Sequence, residues 1–182
     1  MRVFILCTGR SGSTAIIKAC QHIKNYSCGH ETLSKEIGGS RFRYPDNHIE
    51  ADNRLSWFLG SLNNQFGNDA VYIHLIRNKE STIRSFNKRW EIDISIIKAF
   101  AEGILMRPAI KLNDNQKLEI CSDYYDTVNN NIVYFLKDKD HTLTIKLENI
   151  KEGFLSFWKL IDAKGDINEA LKEFDILHNK SE

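Results

Sequence analysis

Six consecutive residues, Gly9-Arg10-Ser11-Gly12-Ser13-Thr14, hold the densest chemical potential in the chain. They follow a continuous apolar run, Arg2 to Thr8, and precede helically spaced Ala15, Ile16, Ala19, Cys20 and Ile23. Glycines in such a strand-to-helix turn let backbone N–H groups face one point, where the helix N-terminus adds about half a positive charge. A phosphate held there is gripped by backbone and dipole together, with the hydroxyls of Ser11, Ser13 and Thr14 as further donors. The same turn also uses Gly and Ser for geometry alone.

A nucleoside-triphosphate loop reads G-x-x-x-x-G-K-[S/T]. Here Cys7 stands at the first glycine and Ser13 at the lysine. A second buried-strand candidate, Ala70 to Ile76, ends in Arg77 and not in the aspartate that would hold Mg²⁺. Arg77 offers a fork suited to a phosphate, and Ser85 and Arg89 follow it on one helix face. These features favour an anionic ligand bound without metal.

The elements that must position these residues follow from hydrophobic period. Buried-type strands (Arg2 to Thr8, Ala70 to Ile76), a short strand at Tyr26 to Gly29 and an alternating one at His141 to Leu147 are separated by helical patterns. Helices are predicted over Asn53 to Phe66, Lys79 to Trp90, Ile92 to Met106, Gln116 to Lys137, Lys151 to Ile161 and Ile167 to Phe174. Thr32 to Asp52 reads as a long irregular connection broken by Pro45. Alternating strands and helices predict an α/β fold: three α/β/α layers on a mostly parallel sheet, with a P-loop nucleotide-binding-like organisation. The 182 residues are enough to bury roughly 70% of the unfolded surface, so residues 1–182 are expected to form a single domain.

Composition narrows the partners. Net charge is +1, which gives no reason to expect nucleic acid. Residues 1–91 carry 13 Lys/Arg against 8 Asp/Glu, and the second half is acidic, so an anion site is expected early in the chain. No apolar run approaches the length of about 18 residues that a membrane span needs, and no leader pattern precedes the first strand, so a cytoplasmic protein is expected. Cys7, Cys20, Cys28 and Cys121 lack metal-type spacing and read as buried thiols.

The loop Gly9 to Thr14 resembles the 5′-phosphosulfate loop of sulfotransferases, which move a sulfuryl group from 3′-phosphoadenosine 5′-phosphosulfate (PAPS) to an acceptor hydroxyl or amine and release PAP. Arg77 with Ser85, in RNKESTIRS, is similar to that family's 3′-phosphate motif, with Arg89 as a further contact. Cys28-Gly29-His30-Glu31-Thr32 resembles the segment of protein-tyrosine sulfotransferases whose glutamate takes the acceptor proton, and Glu31 aligns with that base. The resemblance covers about the first 90 residues. It implies Glu31 and Arg10 as catalytic residues, Gly9, Arg10, Ser11, Gly12, Ser13, Thr14, Arg77, Ser85 and Arg89 as donor ligands, and no metal.

His48, in the irregular segment, competes for the role of base, whereas His74 reads as a core histidine. In the family a tyrosine-glutamate pair often follows the strand that here ends in Leu147-Glu148, and Lys164-Gly165-Asp166 is the candidate for a nucleotide-covering loop. Arg41, Phe42, Arg43, Tyr44 and Trp57 can supply an acceptor pocket, although Phe42 and Trp57 equally read as core, the reading preferred for Trp57; a chain this short also admits one completed by a second copy. Two other function classes stay open: a non-catalytic nucleotide-binding module of the same fold, and a small Mg²⁺-dependent P-loop kinase or NTPase.

Overall fold

The computed structural model describes residues 1–176. Five parallel strands form one sheet: β1 (Arg2–Leu6), β2 (Ser27–His30), β3 (His48–Ala51), β4 (Ala70–Ile76) and β5 (Thr142–Lys146), in the order β2-β3-β1-β4-β5. Helices α1 (Ser13–Cys20), α2 (Leu59–Phe66), α3 (Lys79–Asn87), α4 (Ile96–Ala99), α5 (Asp114–Leu136), α6 (Ile150–Leu160) and α7 (Ile167–Lys172) cover its faces. The architecture is the α/β arrangement expected from the sequence.

Side-chain alternation along the strands sorts the core into two layers. Val3 and Ile5 join Ile16, Ala19 and Cys20 of α1 and Phe154 and Phe157 of α6 on one face. Phe4 and Leu6 join Leu62, Phe86, Tyr124 and Ile132 on the other. Both faces of β1 are therefore buried, the reason its sequence is apolar without alternation.

Three expected elements differ. The irregular connection contains β3, whose polar His48 and Glu50 hid it: both are buried and bonded to each other, His48 Nε2 to Glu50 Oε2 at 3.0 Å. The helix expected over Asn53 to Phe66 is split into a 3₁₀ turn, Asn53–Trp57, and α2, because the Asp52 side chain accepts from Arg54 N–H at 2.8 Å and starts the tighter turn. Ile92 to Met106 holds only α4 and one π turn, Phe100–Ile104, since Ile94 takes a positive φ of 51° and Ser95 caps from there.

In a parallel sheet every strand delivers the chain to the same edge, and ligands bind outside those carboxyl ends. Gly9 to Gly12 follow β1, Glu31 follows β2, Asp52 to Arg54 follow β3, Arg77 follows β4 and Leu147-Glu148 follow β5. One rim thus carries all these residues.

Candidate functional site

The turn from β1 into α1 is built on left-handed backbone. Gly9, Arg10 and Gly12 have φ of 82°, 57° and 95°. A Cβ at Gly12 would stand 2.5 Å from Leu147 Cδ1, so the residue after β5 packs directly onto the loop. The carbonyls leading into the turn are held from below: Tyr124 OH donates to Thr8 O at 2.8 Å and Ser56 Oγ to Cys7 O at 3.0 Å. Burial pushes the Cys7 thiol up to about 11, so it stays protonated beneath the loop. The Ser11 hydroxyl is buried against that thiol, and its contact partly offsets the upward push of burial.

Arg10 and Arg77, far apart in sequence, meet. Arg10 Nε donates to Ser85 Oγ at 3.0 Å, and Arg77 Nη1 donates to the Arg10 carbonyl at 3.1 Å. Arg77 is itself anchored through its own carbonyl, which accepts from Tyr125 OH at 2.8 Å. Burial, then the like charges of Arg89 and Arg77, press the Arg10 guanidinium below the ordinary arginine range. Among the described residues no carboxylate pairs with Arg77 or Arg89, so this corner is a concentration of positive charge suited to an anion. Arg89 lies in the turn just beyond α3, not on the helix itself, yet it stays within electrostatic reach of Arg10.

Glu31 leaves β2 in a left-handed conformation, φ 54°, with its N–H donating to Ala51 O at 3.0 Å. Its carboxylate pairs with Arg54, Nη1 to Oε2 at 2.8 Å, and is about one-third exposed. His30 reaches the loop instead: its Nε2 lies 2.9 Å from Ser13 Oγ. His48 has no access to solvent chemistry, being buried between Glu50 and Ser27 Oγ, the latter 2.8 Å from Nδ1. His74 is a core histidine bonded to Asn129 Oδ1 at 2.8 Å.

No family model matches the chain, and no curated protein matches it. Among solved structures, mouse sulfotransferase SULT7A1 complexed with PAP is similar, with a TM-score of 0.64 at 12% sequence identity, over 96% of this chain and 63% of that one. The fold is the sulfotransferase fold. The chain spans just under two-thirds of that neighbour's length.

On this sulfotransferase fold a cavity of about 660 Å³ opens beside the Glu31 turn, with Arg54 in its wall. Arg41, Phe42 and Trp57 line it, joined by Ile37, Phe58 and Ile96. Arg43 and Tyr44 do not: Arg43 is exposed and Tyr44 is buried against Phe4 and His48. Lys164-Gly165-Asp166 cannot cover a nucleotide here. Lys164 O accepts from Lys24 N and Gly165 bridges Ile23, at the far end of α1, about 12 Å of helix from the loop. In place of the tyrosine-glutamate pair, Leu147 presses on Gly12, and Glu148 Oε1 accepts from Asn78 N at 2.7 Å, fixing the start of α3. Arg54 was not singled out by the sequence, since its importance lies in an ion pair across 23 residues that no local motif announces. No helix among the described residues is long and apolar enough to cross a membrane.

Proposed function

We propose that the chain, as one sulfotransferase-like domain over residues 1–182, is a PAPS-dependent sulfotransferase. The observation that carries this is the meeting of the phosphate loop with Arg77 and Ser85 through Arg10, two sequence clusters joined at one rim. The residues suit the nucleotide: loop amides of Gly9 to Thr14 and the α1 N-terminus for the 5′-phosphosulfate, and Arg77, Ser85 and Arg89 for the 3′-phosphate. The Ser11 hydroxyl, buried in the loop, offers one more donor to the loop's ligand. The neighbour's PAP supports the same assignment.

In the proposed step the acceptor oxygen attacks sulfur in line, the bond from sulfur to the 5′-phosphate oxygen breaks, and PAP leaves with the electron pair. Arg10 and the loop amides stabilise the charge that gathers on the leaving phosphate. Glu31 accepts the proton the acceptor oxygen loses, and Arg54 holds the carboxylate in place for it. The acceptor lies in the cavity between Phe42, Trp57 and Phe58, whose largely apolar wall suits a ring-bearing hydroxyl or amine compound.

Incubation with PAPS and a panel of phenols, amines and sugars tests the proposal by mass spectrometry. A sulfated product and released PAP are expected; tight PAP binding with no product from any acceptor marks a binding module instead. The Glu31→Gln variant is expected to keep PAP affinity and lose turnover by about 100-fold or more, the range for removing a positioned proton acceptor. Mg²⁺-dependent ATP binding in place of PAP binding would favour the kinase reading.

A further inference from the structure

β3 buries two ionisable side chains, and the residue that ends it buries a third. Glu50 is fully buried, His48 is 6% exposed and Asp52 is fully buried. Residues two apart on a strand share a face, so His48, Glu50 and Asp52 form one polar rail beside the apolar Phe4 and Tyr44. Burying carboxylates is costly unless each finds partners, and here each carboxylate has one partner in the turns that carry Glu31 and Arg54, Thr32 for Glu50 and the Arg54 N–H for Asp52, and a further one in His48 or Arg41.

Glu50 grips the residue after Glu31. Its Oε1 accepts from Thr32 N–H at 2.7 Å, and its Oε2 accepts from Thr32 Oγ1 at 2.7 Å. His48 meets the same Oε2 at 3.0 Å and is braced in turn by Ser27 Oγ. Gly29, opposite Glu50 in the β2–β3 register, makes the space: a Cβ there would lie 2.0 Å from Thr32 Oγ1 and 2.9 Å from Glu50 Oε2. At the other end of the rail Asp52 accepts from Arg54 N–H and pairs with buried Arg41. Glu50 thus fixes the Glu31 turn, Asp52 fixes the Arg54 turn, and the two turns meet in the Glu31–Arg54 ion pair.

We infer that Glu50, braced by His48 and acting through Thr32, is a positioning residue that sets where the Glu31 carboxylate stands against the acceptor. The inference rests on the reading of Glu31 as the proton acceptor. Misplacing such a group by about 1 Å costs on the order of 100-fold in rate without touching donor binding.

The test combines Glu50→Gln and Thr32→Val, each alone and with Glu31→Gln. Turnover is followed with PAPS and 4-nitrophenol, or with whichever panel acceptor gives product. Thr32 is exposed, so Thr32→Val removes one bond to Glu50 without emptying the interior, and it serves if Glu50→Gln fails to fold. The expected result is a fall in kcat of about 10- to 100-fold with KM for PAPS and PAP affinity unchanged, and no further fall when Glu31 is already Gln. An equal loss in the Glu31→Gln background, or none in the native one, overturns the inference. A Glu31→Gln enzyme with native turnover instead removes Glu31 as the base. Independently of turnover, crystal structures of the PAP-bound variants are expected to show the Glu31 carboxylate displaced from Arg54; an ion pair kept near 2.8 Å overturns the positioning role.

Discussion

Gly12 combines a backbone φ of 95° with a neighbour, Leu147, pressed against the place a side chain would occupy. Replacing it with alanine places an L side chain in a left-handed conformation, at a cost of about 1–2 kcal/mol. Trimming Leu147 to alanine makes room but leaves the torsional cost, so the double variant is expected to recover only part of the stability lost in Gly12→Ala, as read from chemical unfolding. At Arg77 the expected effect is on affinity. Removing a charged donor to phosphate weakens PAP binding by about 1.5–3 kcal/mol, tenfold or more by calorimetry, and unchanged affinity places Arg77 outside the nucleotide site. Both stand out in the sequence, Gly12 as the glycine just before a helix and Arg77 as a cation just after an apolar strand, which is why they were candidates. Arg54 was not, because nothing separates one arginine from another until the chain folds it onto Glu31.

Among the elements, β1 and β4 announced themselves as uninterrupted apolar runs since both of their faces are covered, and β5 by its alternation. β3 did not: its first and third residues are His48 and Glu50, which are polar in composition yet buried by pairing with each other and with β2 and its turn. Hydrophobic period detects burial by desolvation, and a strand that buries charge by pairing is invisible to it. β4 makes a testable statement of its own. His74 is buried within it, and burial lowers its pKa from the ordinary 6.5 despite the bond to Asn129. The unfolded chain therefore takes up a proton at His74 at a higher pH than the folded one. Stability is full above 6.5 and declines as the pH falls below it, by at most about 1.4 kcal/mol per pH unit from this group. Urea unfolding at pH 7 and pH 5 is expected to show that decline, and His74→Gln to reduce it.

For the whole molecule, the fold class followed from strand-helix alternation and a candidate site from the motif order; Arg41, Phe42 and Trp57 of the cavity were candidates in sequence, whereas Ile37, Phe58 and Ile96 join them only in three dimensions. A ligand bound only by the native state stabilises all of it. PAP at one hundred times its Kd is expected to add about 2.7 kcal/mol, raising Tm by several degrees for a chain of this size, and differential scanning fluorimetry without any PAP-dependent shift would count against the nucleotide site.

The sheet order gives the two halves of the rim different neighbours. The Gly9 to Gly12 turn springs from the central strand, flanked by β3 and β4, while Glu31 springs from β2, which among the described residues has a partner on one side only. On the proposed reading, the donor's contacts therefore grow from the centre of the sheet and the candidate base from its border. Ser34, Glu36 and Ile37 line the cavity from this border, so on the proposed reading acceptor choice can be retooled there, from the margin inward, with the loop contacts left in place.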